Sequence, residues 1–344
     1  MTPETTFPPI QQRLMEFIRQ RFKPGYNHYN VRKLIGDATS RQYYRYVTDS
    51  GGTLILAAYP EPFDPNHFTY KQIYDLLQEI EIPVPEIVEL NGELGIVLQE
   101  DLGDESLQKT LIKTVEKQKI RLLESAIDHI ITIQEKGTVH VKPEYDAFSL
   151  AFDEEKLNWE FSFFHRQYIH NYKKLANVDD DLLFEEYNRV SSELANYSRV
   201  LTHRDFHVRN MMMKKGILYV IDFQDARWGP PSYDVVSLLK DSIELDPHTV
   251  DELLGYYLEK IRRRDFAQSE GFALDDKGFA RQFNLMCIQR LLKALGTYAY
   301  QIIVRENFIY EQYMAGSLHR AQMALEAVPE FPAIRALVDS ELAK

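Results

Sequence analysis

Cysteine is almost absent from this 344-residue chain: Cys287 stands alone, which excludes an intrachain disulfide and any cysteine-based metal cluster. A reducing compartment is therefore expected. Long apolar runs are missing as well. No stretch approaches the roughly 20 apolar residues that cross a bilayer, and the opening MTPETTFPPI lacks the basic start and apolar segment of a secretory signal. The expectation is a cytoplasmic protein with no membrane partner. Positive charge is in deficit, with 40 Lys and Arg against 52 Asp and Glu for a net charge of −12. That balance argues against nucleic acid as a partner and leaves room for a local basic pocket. There is no repeat of fixed period and no low-complexity block.

What is present is an ordinary hydrophobic fraction of 44%, enough for a sizeable core in one large domain or two moderate ones. An amphipathic opening helix places Ile10, Leu14, Phe17, Ile18 and Phe22 at helical spacing. Three short β-branched and aromatic runs follow, YNVRKLIGD, RQYYRYVTD and GTLILAAYP, separated by GDATS and DSGG, and read as an antiparallel meander. Residues 66–80 predict a helix capped by Asn66, and Asn91-Gly92 predicts a tight hairpin turn between two further strands. Beyond residue 100 the periodicity is helical near 105–136, 149–172, 179–197, 247–264, 276–302 and 309–326. A small hairpin turning at Lys215-Gly216 interrupts it. The expected fold class is α+β with two lobes: residues 1–100, a small antiparallel sheet with one main helix, and residues 101–344, larger and mostly helical. A cleft would lie between them.

Residues 201–225 concentrate three Asp, one Asn, two His and two Arg beside Leu, Val, Ile and Met. Charges so close to apolar chain must be satisfied internally or by something bound, because burying them alone costs several kcal/mol or more. In HRDFHVRN the spacing of Asp205 and Asn210 matches H-R-D-x-x-x-x-N, in which the Asp orients or takes the acceptor hydroxyl proton and the Asn holds Mg²⁺. Asp222 follows in VIDFQD, where a kinase carries its other metal-binding carboxylate. Hard oxygen ligands, with no cysteine and no closely spaced histidine pair on a helix, favour Mg²⁺ or Mn²⁺ over zinc. Between the first two strands, GDATSRQYYR offers Gly36 for close backbone approach, Thr39 and Ser40 as donors, and Arg41 or Arg45 as fixed positive charge toward a nucleotide's phosphates.

HRDFHVRN with IDFQDARWGPPSYDVVSLL resembles the aminoglycoside phosphotransferase and choline kinase branch of the protein-kinase-like fold, over about residues 10–335. GDATSRQYYR, IDFQDARWGPPSYDVVSLLKD and QRLLKALGTYAY are most similar to the kinases that phosphorylate N-acetylmuramate and N-acetylglucosamine at the anomeric hydroxyl in cell-wall recycling. The resemblance implies ATP and Mg²⁺ as cofactors, Asp205 as catalytic base, and Asn210 and Asp222 as metal ligands. It implies that His203 and Asp234 support the catalytic loop, and that the linker LQEDLG meets the adenine near Gln99, Glu100 and Leu102. Arg209 and Asp225 are candidates to touch the acceptor. Asp234 reads equally well as a helix cap, and Trp228 as a sugar-stacking ring or a loop anchor. His165, Arg166, Tyr168 and His170 could face the substrate.

One departure stands out. TLILAAYP lacks the third-strand lysine of kinases, and no lysine occurs between Lys33 and Lys71. Either Arg41 or Arg45 would supply the missing charge, or the chain would be a silent nucleotide-binding pseudokinase. The intact Asp205, Asn210 and Asp222 set favours a kinase acting on a small molecule, with an amino sugar ahead of an aminoglycoside, choline or homoserine.

Overall fold

The computed structural model describes residues 7–22, 30–34, 41–268 and 275–343. Gly36, Thr39 and Ser40 lie outside the described residues. A five-stranded antiparallel sheet has the order β1-β2-β3-β5-β4, with β1 Val31–Lys33, β2 Gln42–Val47, β3 Thr53–Ala58, β4 Ile87–Asn91 and β5 Ile96–Glu100. Alternation along each strand gives the sheet two different faces. Tyr44 registers with Leu56 and Tyr46 with Leu54. With Ala58, Ile96 and Leu98 these side chains form a small core under Leu14, Phe17 and Ile18 of the helix Ile10–Arg21.

That helix is also held by a polar latch. The buried Arg13 guanidinium donates to the carbonyls of Leu94, Tyr59 and Pro60 at 2.6, 2.8 and 2.6 Å. Gly95 makes the approach possible, because it adopts φ +62° and a Cβ there would sit 2.4 Å from the guanidinium. Arg13→Ala should cost about 2 kcal/mol by leaving three part-buried carbonyls without their charged donor. A lower denaturant midpoint at unchanged slope would report it.

The opposite face joins the main core. Ala57 and Val97 pack in one cluster with Ile73, Leu76 and Leu77 of the helix Thr69–Glu79, and this cluster runs on into the helical part. Its central element is the long helix Asp276–Arg305, which buries Leu285, Ile288, Leu292 and Leu295 completely. The helices Glu154–Phe164 and Met314–Ala327 pack against it. Among the described residues no helix is long and apolar enough to cross a membrane.

Several boundaries differ from the sequence expectation, each for a local reason. The helix expected from residue 66 begins at Thr69, and Asp64, not Asn66, is the capping side chain, accepting from the Asn66 N–H in a preceding 3-10 turn. Asn91 pairs with Ile96, so the expected tight turn is a longer loop in which the Asn91 carboxamide accepts from the Leu94 N–H. The helix expected over 105–136 breaks where Thr114 and Val115 are extended, between Leu107–Lys113 and Glu116–Thr132. A further helix, Pro332–Leu342, was not anticipated.

Candidate active site

Two short ladders bring the polar segments together. Strand β6 (Val200–Thr202) pairs with β9 (Arg227–Gly229), and β7 (Met211–Lys214) pairs with β8 (Ile217–Val220) through a turn in which Lys215 and Gly216 both have positive φ. Loop 203–210 leaves β6 and enters β7, while loop 221–226 leaves β8 and enters β9. The hairpin therefore sets the two loops side by side, and the Ile221 N–H donates to the Asn210 carbonyl at 3.0 Å.

Asp234 is fully buried and accepts the backbone N–H of His203 at 2.7 Å and of Arg204 at 3.1 Å. Burial pushes its carboxyl upward, while the two amide donors oppose that shift. His203, also buried, bridges the two loops. Its Nδ1 accepts from the Asp205 N–H at 3.3 Å, so its Nε2 is the atom that donates to the Ile221 carbonyl at 3.1 Å. Arg204 and Asp222 have φ of +84° and +63°, backbone strain that the surrounding bonds sustain.

The Asp205 side chain stays 29% exposed within a positive surround. Burial would raise its carboxyl, but Lys293, Arg204 and Arg290 outweigh it and hold the group well below the usual carboxylate range. Arg290 is almost fully buried, donating to the Arg204 carbonyl at 2.8 Å and pairing with Asp241 at 3.1 Å. Its Nη2 lies 3.9 Å from Asp205. Arg290 and Lys293 belong to the QRLLKALGTYAY block, yet the sequence reading assigned them no role. The available signal was two cations three residues apart on one side of a helix, flanked by Leu291, Leu292 and Leu295.

Asn210 and Asp222 offer oxygen donors of the kind a divalent cation takes. The Asn210 Nδ2 donates to the Asp205 carbonyl at 3.0 Å, which fixes the amide and leaves its Oδ1 as the acceptor. Asp222 Oδ1 already receives a cation, the Arg41 guanidinium at 2.7 Å. Arg41 also donates to Gln224 at 2.8 Å, and its Cζ lies 6.0 and 5.8 Å from the rings of Tyr43 and Tyr59. Tyr59 follows Ile55 and Ala57 in alternation off the end of β3. Nor does a Glu from the helix Thr69–Glu79 await such a lysine, since Asp75 pairs with Lys71 and Glu79 with His140. Tyr70 from that helix instead stacks on Phe223 at 4.8 Å and donates to the Gln99 side chain at 2.8 Å.

Arg45 is engaged elsewhere. Its guanidinium grips Asp101 at 2.6 and 3.0 Å and Asp104 at 2.9 and 3.0 Å, which stiffens the linker. Lys214 ties the same linker to the hairpin through Glu100 at 2.6 Å and the Asp101 carbonyl at 2.7 Å. Asp225 is bound by Arg204 at 3.2 Å and by Gln224 at 3.0 Å. The Arg209 guanidinium lies 5.8 Å from the Tyr313 ring. Trp228 donates its indole N–H to the Phe148 carbonyl at 2.9 Å and meets the Phe148 ring edge-on. His165 and Tyr168 are buried in the helical part.

A sheet lobe joined by a stiff linker to a helical lobe, with a carboxylate, an amide and a second carboxylate on adjoining loops, defines a phosphotransferase of protein-kinase-like architecture. The chain belongs to the phosphotransferase enzyme family, whose model matches residues 30–270. Curated relatives include the N-acetylmuramate/N-acetylglucosamine kinase of Neisseria meningitidis serogroup B, 31% identical over 76% of each chain. The protein of the same name from Pseudomonas aeruginosa is 29% identical over 76% of this chain and 74% of its own. Among solved structures, the choline kinase of Streptococcus pneumoniae superposes with a TM-score of 0.58 at 16% identity, covering 93% of this chain and 99% of that one. An amicoumacin kinase in complex with AMP-PNP and Ca²⁺ gives 0.60 at 13% identity, covering 92% and 95%.

Proposed function

We propose that this phosphotransferase is a kinase of amino sugars, moving the γ-phosphoryl group of ATP to the anomeric hydroxyl of N-acetylmuramate or N-acetylglucosamine, a step suited to peptidoglycan recycling. The observation that carries the reading is the single hydrogen-bonded unit made by the two loops. Asn210 holds the Asp205 carbonyl, its own carbonyl holds Ile221, and Asp222 comes next in the chain.

In the proposed mechanism Asp205 orients the acceptor hydroxyl and takes its proton as the new O–P bond forms and nucleoside diphosphate departs. Its depressed pKa keeps it a carboxylate across the neutral range, and an anomeric hydroxyl is acidic enough for a base of that strength. Asn210 Oδ1 and Asp222 would hold Mg²⁺, which when bound neutralises charge on the phosphates. Arg41 supplies the cation that the third strand lacks. The linker carries the adenine, where the Leu102 N–H is not donated to another group among the described residues. His203 and Asp234 fix the loop and do not touch the reactants.

The amino-sugar assignment is supported by the curated relatives and by the charge around Asp205. Lys293, Arg204 and Arg290 surround Asp205 with positive charge, which would disfavour a cationic acceptor and attract the lactyl carboxylate of N-acetylmuramate. Nucleoside diphosphate release with N-acetylmuramate, N-acetylglucosamine, choline, homoserine and kanamycin tests this. Turnover with the two amino sugars is expected, and turnover confined to choline or kanamycin would overturn the assignment.

Lys293→Met should leave the fold intact and raise KM for N-acetylmuramate more than for N-acetylglucosamine. Because Lys293 is the strongest of the groups that depress the Asp205 pKa, its loss raises that pKa toward the ordinary value near ~4. The acid limb of kcat/KM should therefore move to higher pH. An unmoved acid limb would remove Lys293 from the site.

A further inference from the structure

His165, His170 and Asp180 bring three ligand atoms within 4.8 Å of one another. The ring contacts of His165 beyond this set are with Phe184 and Tyr187 and do not involve the catalytic loops. In an α-helix, residues five apart point about 140° away from each other, so this pair reads from sequence as unrelated. Here the chain from His165 to Lys173 is a π-turn. Its i→i+5 bonding returns His170 to the side of His165, with ring centroids 4.7 Å apart. Asp180 enters from the first turn of the next helix, Asp180–Asn196.

The three groups are close without being bonded to each other. His165 Nε2 lies 3.1 Å from Asp180 Oδ1, and His170 Nε2 lies 3.8 Å from Asp180 Oδ2. Yet His165 Nε2 and Asp180 Oδ1 are both buried and neither makes a hydrogen bond. Two ligands each ~2.0–2.1 Å from a tetrahedral ion stand about 3.3 Å apart, and the two observed separations bracket that value. An ion there would satisfy two buried polar atoms that are otherwise orphaned.

We propose that His165, His170 and Asp180 form a Zn²⁺ site, separate from the phosphoryl-transfer centre, that ties the π-turn to the following helix. Two imidazoles and one carboxylate suit zinc, with water completing four-coordination, whereas Mg²⁺ prefers oxygen alone. The site ties two helical elements together across residues 174–179.

The test is equilibrium dialysis of the chelator-treated full chain against Zn²⁺ without nucleotide, read by elemental analysis. Wild type, His170→Ala, Asp180→Asn and Asp222→Asn are compared. His170 is 45% exposed, so its replacement should fold normally, with circular dichroism as the check. A zinc ion that persists in Asp222→Asn and weakens by roughly tenfold or more in His170→Ala and Asp180→Asn is expected. Co²⁺ in its place should give the visible absorption of a four-coordinate site in wild type and not in His170→Ala. Equal uptake by wild type and folded His170→Ala, loss of the ion in Asp222→Asn, or no uptake at all would overturn the proposal.

Discussion

Asp205→Asn should lower kcat by roughly 10²- to 10⁴-fold while leaving nucleotide affinity and thermal stability near those of the wild type. The substitution keeps the shape of the side chain and removes its ability to accept a proton. It also removes a negative charge from among Arg204, Arg290 and Lys293, so the folded state gains repulsion and loses attraction in that spot. The exposed edge of the site limits that effect, since the carboxylate is 29% exposed and screened by water. Single-turnover measurement separates the chemical step from product release. A variant with near wild-type kcat would mean that Asp205 neither orients the hydroxyl nor takes its proton.

Arg41→Ala should reduce kcat/KM for the nucleotide by roughly 10²- to 10³-fold, the range for removing one preorganised donor from a developing charge. The side chain is already held near Asp222 by that carboxylate, by Gln224 and by the two tyrosine rings, so little ordering is needed on binding. Arg45→Ala provides the contrast. It frees the buried Asp101 carboxylate and the Asp104 carboxylate from their shared partner, so thermal stability should fall while nucleotide KM changes far less. If the two variants exchanged these behaviours, the phosphate-facing cation would be Arg45 and the role given to Arg41 would be wrong.

Much of this was legible in the chain because the signals were local. The meander, the Lys215-Gly216 turn and the long helices follow from alternation, turn residues and helical spacing, all set within a few residues. The grouping of Asp205, Asn210 and Asp222 was legible because a hairpin joins them. What escaped was set by contacts distant in sequence. Arg45 looked as available as Arg41 until Asp101 and Asp104 were seen to occupy it. Lys293 lies far along the chain from Asp205, and only packing of the long helix places its charge nearby. The capping role of Asp64 was hidden because Asn66 is an equally good capping residue by type. The histidine pair of the π-turn escaped for a different reason. Helical spacing rules assume 3.6 residues per turn, and a π-turn shifts which residues share a face.

The proposed reaction is phosphoryl transfer, at the loops around Asp205, to the anomeric oxygen of an amino sugar. Phosphorus and proton NMR of the product formed from ATP, Mg²⁺ and N-acetylmuramate tests it most directly. One new phosphate coupled to the anomeric proton is expected, formed by the wild type and not by Asp205→Asn. A phosphate coupled to any other ring position, or an identical product from the Asp205→Asn variant at an undiminished rate, would contradict it.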